Sequence, residues 1–259
     1  MKLKKILITN DDGVFARGIQ SLIEVFKNDY DITVVAPDRE RSAIGHSLTF
    51  FYPLRVQKLE YSEKLKIYSS DGTPSDCVLL GIYDLMEEKP DLIVSGINHG
   101  ANMGQDITYS GTVSAAMEGT IHKVPSIAVS LAAFENLDFT YAAKFVKKLV
   151  DSIIGKKLPQ QSFLNINIPN VPENEIKGYS ITKQGISVYD QKLLKRMDPR
   201  GIEYYWLSGD YPSGLTAPGT DFEAVYKNKM VSITPIHLDM TNFALMDELK
   251  NWKINIAPM

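Results

Sequence analysis

Lys5-Ile6-Leu7-Ile8-Thr9-Asn10-Asp11-Asp12-Gly13 decides how the rest of the chain is read. Its apolar run has no polar alternation, which predicts a short strand buried on both faces. The run breaks at a polar turn, and Ile19, Leu22, Ile23 and Phe26 then recur at helical spacing. Ile32-Thr33-Val34-Val35-Ala36 supplies a second buried strand, ended by Pro37. Strand, helix and strand in this succession form a βαβ unit, and so predict a parallel sheet.

The pattern repeats along the chain. Phe50 to Val56 and Leu65 to Tyr68 read as strands, and Thr73-Pro74-Ser75-Asp76 announces a helix with an N-cap Thr, Pro at its first turn and an acid three residues on. Asp91-Leu92-Ile93-Val94-Ser95 and Ser126-Ile127-Ala128-Val129-Ser130 read as buried strands on either side of a helix over 112–122. Ala142, Phe145, Val146, Leu149, Val150 and Ile153 mark another amphipathic helix. In Leu164-Asn165-Ile166-Asn167-Ile168 the alternation predicts a half-buried strand nearer the sheet edge. Beyond about residue 175 the texture changes. Ile186 to Tyr189 and Ile202 to Leu207 flank Asp198-Pro199-Arg200-Gly201, a turn signal that predicts a long β-hairpin arm. Tyr204, Tyr205 and Trp206 make the arm aromatic, which favours an oligomer contact over folding back on its own sheet. The expected fold is therefore α/β, a Rossmann-like doubly wound, mostly parallel sheet. Residues 1–175 form its catalytic core, and 176–259 a C-terminal region whose arm serves oligomerisation before the chain returns to the core.

Composition bounds the function. A chain of 259 residues that is 44% hydrophobic and 23% charged can bury a full core. Its formal net charge of -3 argues against a dedicated nucleic-acid binder, which would carry a basic stripe. Cys77 is the only cysteine, so no intramolecular disulfide forms, and its apolar surroundings predict a buried structural thiol. The N-terminal apolar run stops too early for a signal-peptide core, and no 18-residue apolar span follows. A cytoplasmic protein with no membrane partner is expected.

In doubly wound sheets, ligands bind beyond the carboxyl ends of the strands, and three such ends here are rich in polar groups. Asp11-Asp12 places two mutually repelling carboxylates at the first, which is costly unless a cation neutralises them. An isolated Asp-Asp is more often an ordinary turn, but a buried strand terminus shifts that balance. Asp38 to Ser47 mixes hydroxyls with cations, as a metal and phosphate pocket requires, although a solvated loop has the same composition, and His46 alone carries little weight. In the third, Ser95 to Gly104, Asn98 has a neutral oxygen for a metal and Asn102 a donor for a phosphoryl oxygen. An Asn/Gly loop in left-handed geometry explains the same residues. Beyond it, Ser110-Gly111-Thr112 opens a helix whose free N–H groups and dipole suit an anion, though a plain N-cap also accounts for the hydroxyls. No G-x-G-x-x-G follows the first strand, and G-x-x-x-x-G-K-[ST], a G-x-S-x-G elbow and a cysteine–metal cluster are all missing.

Together these segments resemble the SurE family, the stationary-phase survival proteins that act as metal-dependent nucleotidases and acid phosphatases. The match rests on residues 8–13, Ala36-Pro37-Asp38-Arg39 with Ser42, 72–77, 95–102 and 109–119, and continues through 165–169, 198–201 and 220–225. The resemblance implies that Asp11, Asp12, Ser42 and Asn98 hold one divalent ion per subunit, Mg²⁺ or Mn²⁺, and that Asn102, Ser110, Gly111 and Thr112 hold the phosphate. It implies nucleoside 5′- and 3′-monophosphates as substrates, short-chain polyphosphate as a further one, and a homodimer or homotetramer with the C-terminal arm exchanged. In the expected reaction an ion-activated water attacks phosphorus in line with the ester oxygen, while Asn102 and the cradle stabilise the developing charge. One carboxylate of the pair, Asp11 ahead of Asp12, takes the water's proton or attacks directly. A nucleotide-binding regulatory module without turnover and a metal-dependent glycosidase or deacylase are the alternatives. The first would release no phosphate, and the second would have no use for a Ser-Gly-Thr helix start.

Overall fold

The computed structural model describes residues 4–156, 158–189, 191–209, 213–214 and 216–252. In chain order the elements are β1 (Lys5–Thr9), α1 (Arg17–Phe26), β2 (Asp31–Pro37), β3 (Val56–Tyr61), β4 (Leu65–Ser70), α2 (Pro74–Leu80), β5 (Leu92–His99), α3 (Gly111–Ile121), β6 (Ser126–Ala132), α4 (Thr140–Ile153) and β7 (Ser162–Pro169). There follow β8 (Tyr179–Ile181), β9 (Ser187–Val188), β10 (Gln191–Met197), β11 (Glu203–Gly209), β12 (Ser213–Gly214), β13 (Val231–His237) and α5 (Phe243–Asn251).

Nine strands form one sheet in the order β3-β4-β2-β1-β5-β6-β7-β13-β8. From β4 through β7 every pairing is parallel; β3 and β13 run antiparallel to their inner neighbours. The chain winds outward from β1 to β2 and β4, then returns to the other side of β1 with β5. The winding reverses there, so α1 after β1 and α3 after β5 pack on opposite faces of the sheet, the place at which doubly wound sheets bind ligands.

Both faces of the sheet are covered, which is why β1 shows no polar alternation. Ile6 and Ile8 pack under α1 and α4 with Leu22, Phe26, Val146 and Val150. Leu7 points the other way, into a cluster with Val35, Val78, Ile93 and Ala115 under α2 and α3. α2 begins as its sequence predicts, with Thr73 and Asp76 forming a reciprocal capping box and Pro74 in the first turn. Cys77 is fully buried in that layer.

Three expectations need correction. Residues 50–55 form no strand: Phe50, Phe51 and Tyr52 are strongly exposed, and pairing begins only at Val56. β7 lies towards one edge, with only β13 and β8 beyond it, but it is not half-buried: Asn165 and Asn167 are fully buried. Its alternation reflects a buried polar row, not exposure to water. The hairpin arm is present, but its first long strand is β10, paired residue by residue with β11 around the 198–202 turn. Ser187 and Val188, assigned to that strand by the sequence pattern, pair with β12 at the arm's base.

Candidate active site

The turn after β1 is built by Asn10, whose side chain donates to the Gly13 carbonyl at 2.8 Å and accepts the Gly13 N–H at 3.2 Å. Gly13 has φ +101°, where a side chain is strained, and a Cβ would meet the Arg39 backbone at 3.2 Å. The Arg41 N–H donates to the Asp11 carbonyl at 2.7 Å, so the loop after β2 is sewn onto this turn. Asp11 and Asp12 are thereby held at the reversal of the sheet's winding.

Asp11 is 3% exposed. Its carboxylate meets the start of α3, accepting hydrogen bonds from the hydroxyl and the backbone N–H of Thr112. Gly111 lies so close that a Cβ there would be 2.8 Å from the Asp11 Cβ. Burial, and then the charge of Asp12, push the Asp11 carboxyl up to about 6, against the Thr112 hydrogen bonds. Asp12 instead faces the end of β5. His99 Nδ1 lies 2.5 Å from Asp12 Oδ1, and the His99 N–H donates to Oδ2 at 3.2 Å. The hydrogen bond to Asp12 holds the His99 imidazole above its usual range, against the effect of burial.

The other expected residues surround this pair in different states. Asn98, the neighbour of His99 on β5, donates its side-chain N–H to the Gly100 carbonyl at 2.8 Å, which leaves its Oδ1 as the group able to ligate. Ser110 caps α3 by accepting the Val113 N–H at 3.1 Å. Ser42 follows Arg41 beside Asp11, yet its hydroxyl is exposed and donates to Glu40 at 2.7 Å. Asn102 is buried and donates to Ser130 Oγ at 2.8 Å, which leaves one side-chain N–H uncommitted. The structure thus brings Asp11, Gly111 and Thr112 into contact. It does not turn the Ser42 hydroxyl onto the Asp pair.

Among the described residues no cluster of three or more His, Cys, Asp or Glu side chains is assembled for a metal. A cation here would draw on two carboxylates and on neutral oxygens, a hard donor set suited to Mg²⁺ or Mn²⁺. The donors fit such an ion. A buried carboxyl pushed up by burial and by its neighbour's charge is what a divalent cation relieves.

Sequence reasoning gave no role to His99, Ser130, Asn165 or Asn167. His99 was visible only as one residue of the Asn98-His99-Gly100 loop. Asn165 and Asn167 were visible as polar interruptions whose partner, Asn102, lies more than sixty positions away. His46, given little weight on sequence, approaches the buried Glu118 of α3 at 2.6 Å, and His122 approaches the same carboxylate at 2.9 Å. Burial alone would raise the Glu118 carboxyl, but these two hydrogen bonds hold it below its usual range. The loop that carries Ser42 is thus tied to the helix whose N-terminus meets Asp11.

Comparison with known proteins bears directly on this constellation. A family model described as Survival protein SurE matches residues 6–191. The chain belongs to the SurE family. A SurE protein of Geobacter sulfurreducens named 5'-nucleotidase SurE is 47% identical over 251 residues, covering 96% of this chain and 94% of that protein. One from Thermoanaerobacter sp. with the same name is 46% identical over 252 residues, covering 97% of this chain and 99% of that one. The crystal structure of the SurE protein from Aquifex aeolicus superposes with a TM-score of 0.81 at 44% identity, covering 95% of this chain and 98% of that one. The SurE family match spans β1 to the start of the arm, and so includes every candidate site residue.

Proposed function

We propose that this SurE-family chain is a nucleotidase, a phosphoric monoester hydrolase that releases inorganic phosphate from nucleoside 5′- and 3′-monophosphates in a metal-dependent reaction. Short-chain polyphosphate is a further proposed substrate. The observation that carries the reading is the contact between the Asp11-Asp12 turn and the Gly111-Thr112 helix start. A site for carboxylate-bound cation and a site for phosphate share one wall there. The relatives' shared name, 5'-nucleotidase SurE, supports the substrate class.

In the proposed site Asp11, Asp12, Asn98 and Ser42 would hold one Mg²⁺ or Mn²⁺, with Ser42 giving up its Glu40 partner to do so. Bound there, the ion would neutralise the two carboxylates and phosphate charge and acidify a water ligand. Ser110, Gly111 and Thr112 orient the phosphate at the positive end of α3, and the uncommitted N–H of Asn102 donates to a phosphoryl oxygen. Asp11, oriented by its hydrogen bonds from Thr112, takes the proton of the attacking water at its carboxylate. Fixed donors around the equatorial oxygens stabilise the charge that develops as the ester bond breaks.

We further propose that the arm, with α5, pairs with a second copy of the chain to give a homodimer or homotetramer, since both elements expose apolar side chains that no other described residue covers.

Phosphate release is to be measured on nucleoside 5′- and 3′-monophosphates and on short polyphosphate, with each divalent ion supplied separately. Asp12→Ala removes one of the two anionic ligands, and its rate on monophosphates is expected to fall by at least about a hundredfold with the fold retained. Full activity of that variant, or of the wild type in excess EDTA, would overturn the metal-dependent reading.

A further inference from the structure

β7 is an interior strand of the sheet, where apolar side chains would pack at no electrostatic cost, yet it carries two asparagines that are both 0% exposed. A buried amide is unfavourable unless its hydrogen-bonding groups are used. Three of the four such groups are directed at one residue, and Asn165 Oδ1 alone has no hydrogen-bond partner among the described residues. Asn167 Oδ1 accepts the Asn102 N–H at 2.8 Å while Asn167 Nδ2 donates to the Asn102 carbonyl at 2.9 Å, so one side chain grips both backbone groups as a neighbouring strand would. Asn165 Nδ2 donates to the same carbonyl at 2.8 Å. The Asn102 side chain in turn donates to Ser130, which stands opposite Asn167 in the β6–β7 register and opposite Asn98 in the β5–β6 register.

The polar row continues away from the site. Ser232 pairs with Asn167 and Thr234 with Asn165 across β13, and both hydroxyls lie 2.7 Å from that of Thr182. None of these three is hydrogen-bonded to Asn102. Residues 101–103 belong to no helix or strand beyond β5, so the main chain of Asn102 lacks the ladder that would otherwise hold it. Three hydrogen bonds from β7 replace that ladder, and the bond to Ser130 of β6 holds the side chain.

We propose that Asn167, with Asn165 in support, is a positioning residue for the phosphate half of the site. It fixes the backbone of Asn102 so that the remaining side-chain N–H points at a phosphoryl oxygen. The proposal rests on the reading of Asn102 as a phosphate ligand. It predicts a defect in holding phosphate that is separate from ion binding, because Asp11 and Asp12 are anchored by α3 and β5 instead.

The test compares Asn167→Ala, Asn165→Ala, Asn102→Ala and Thr182→Val by four readouts. These are KM and kcat on a nucleoside monophosphate, the inhibition constant of inorganic phosphate, Mn²⁺ affinity by calorimetry, and thermal stability. Asn167→Ala is expected to raise both KM and the phosphate inhibition constant about tenfold, leaving Mn²⁺ affinity within about twofold of wild type. Asn165→Ala, which removes one hydrogen bond and is the milder change should Asn167→Ala misfold, is expected to show the same split at about threefold. Thr182→Val loses stability without moving the phosphate constant. An unchanged phosphate constant in both Asn variants, or one that tracks thermal stability across all four proteins, overturns the positioning role. If Asn102→Ala binds phosphate normally, the underlying reading of Asn102 fails and the positioning role falls with it. If only Asn102→Ala loses phosphate, the positioning role alone is overturned.

Discussion

At the residue scale Asp11 is the most informative side chain, because its environment works against its charge. Its carboxyl stands at about 6 rather than its ordinary 3.8 in the ion-free protein. Between those two values the folded chain binds more proton than the unfolded one, so stability falls as pH rises through that window, and the penalty is complete above it. A shift of that size in a fully buried group is on the order of 2–3 kcal/mol. Asp11→Asn keeps an oxygen to accept from Thr112 but carries no charge. In ion-free protein it is expected to melt several degrees above wild type at about pH 7.5, and to lose that advantage towards about pH 4. Saturating Mn²⁺ should reverse the order, since only the wild type gains from the ion. Thermal melts across pH, with and without Mn²⁺, check both statements; a pH-independent difference would refute the burial argument.

At the element scale the start of α3 is where two requirements meet. Its first residue must leave room for Asp11 while the N–H of its second, Thr112, donates to the Asp11 carboxylate. Gly111→Ala places a methyl 2.8 Å from the Asp11 Cβ and 2.9 Å from its Oδ2, contacts that real side chains do not sustain. Because Ala is the better helix former, the helix itself should persist. The expected result is unchanged helical circular dichroism with Mn²⁺ affinity and phosphate release both reduced at least about tenfold; calorimetry and the phosphate assay read these separately.

The same scale shows what was legible in the sequence. α2 could be read residue by residue, because Thr73, Pro74 and Asp76 act locally through the capping box. The β1 and β2 strands and α1 were equally readable from apolar spacing. β7 reads as half-buried because Asn165 and Asn167 turn their amide N–H groups onto Asn102, a long-range partner that no local pattern reveals. Phe50 to Tyr52 look like strand residues by type, but Pro53 follows and no neighbouring strand pairs with them. At the site, the Asp pair and the α3 start were visible as motifs. Their contact was not, since it depends on the distance the fold closes between residues 11 and 112.

At the scale of the whole molecule, the reversal of winding between β1 and β5 brings together the residues of the proposed site, and the C-terminal region carries the apolar faces proposed to join copies. The arm is a two-stranded ladder, a structure marginal in water by itself. Leu193 faces Leu207 on one side, beside Tyr205, and Leu194 faces Trp206 on the other. Four of these five are at least 57% exposed, and Leu194 is 41% exposed. α5, nine residues with no buried side chain, is likewise too short to be stable alone. Elements of this kind persist when a partner surface covers them. Sedimentation of the full chain is therefore expected to give a species of at least twice its 29.0 kDa mass. Leu193→Ser with Trp206→Ser puts a polar side chain on each face of the ladder without touching the nine-stranded sheet. This double variant should sediment as a smaller species, or dissociate at concentrations where wild type does not. A wild type that sediments at 29.0 kDa, or a variant whose assembly is as tight as wild type's, would show that the arm's apolar faces are not the contact between copies.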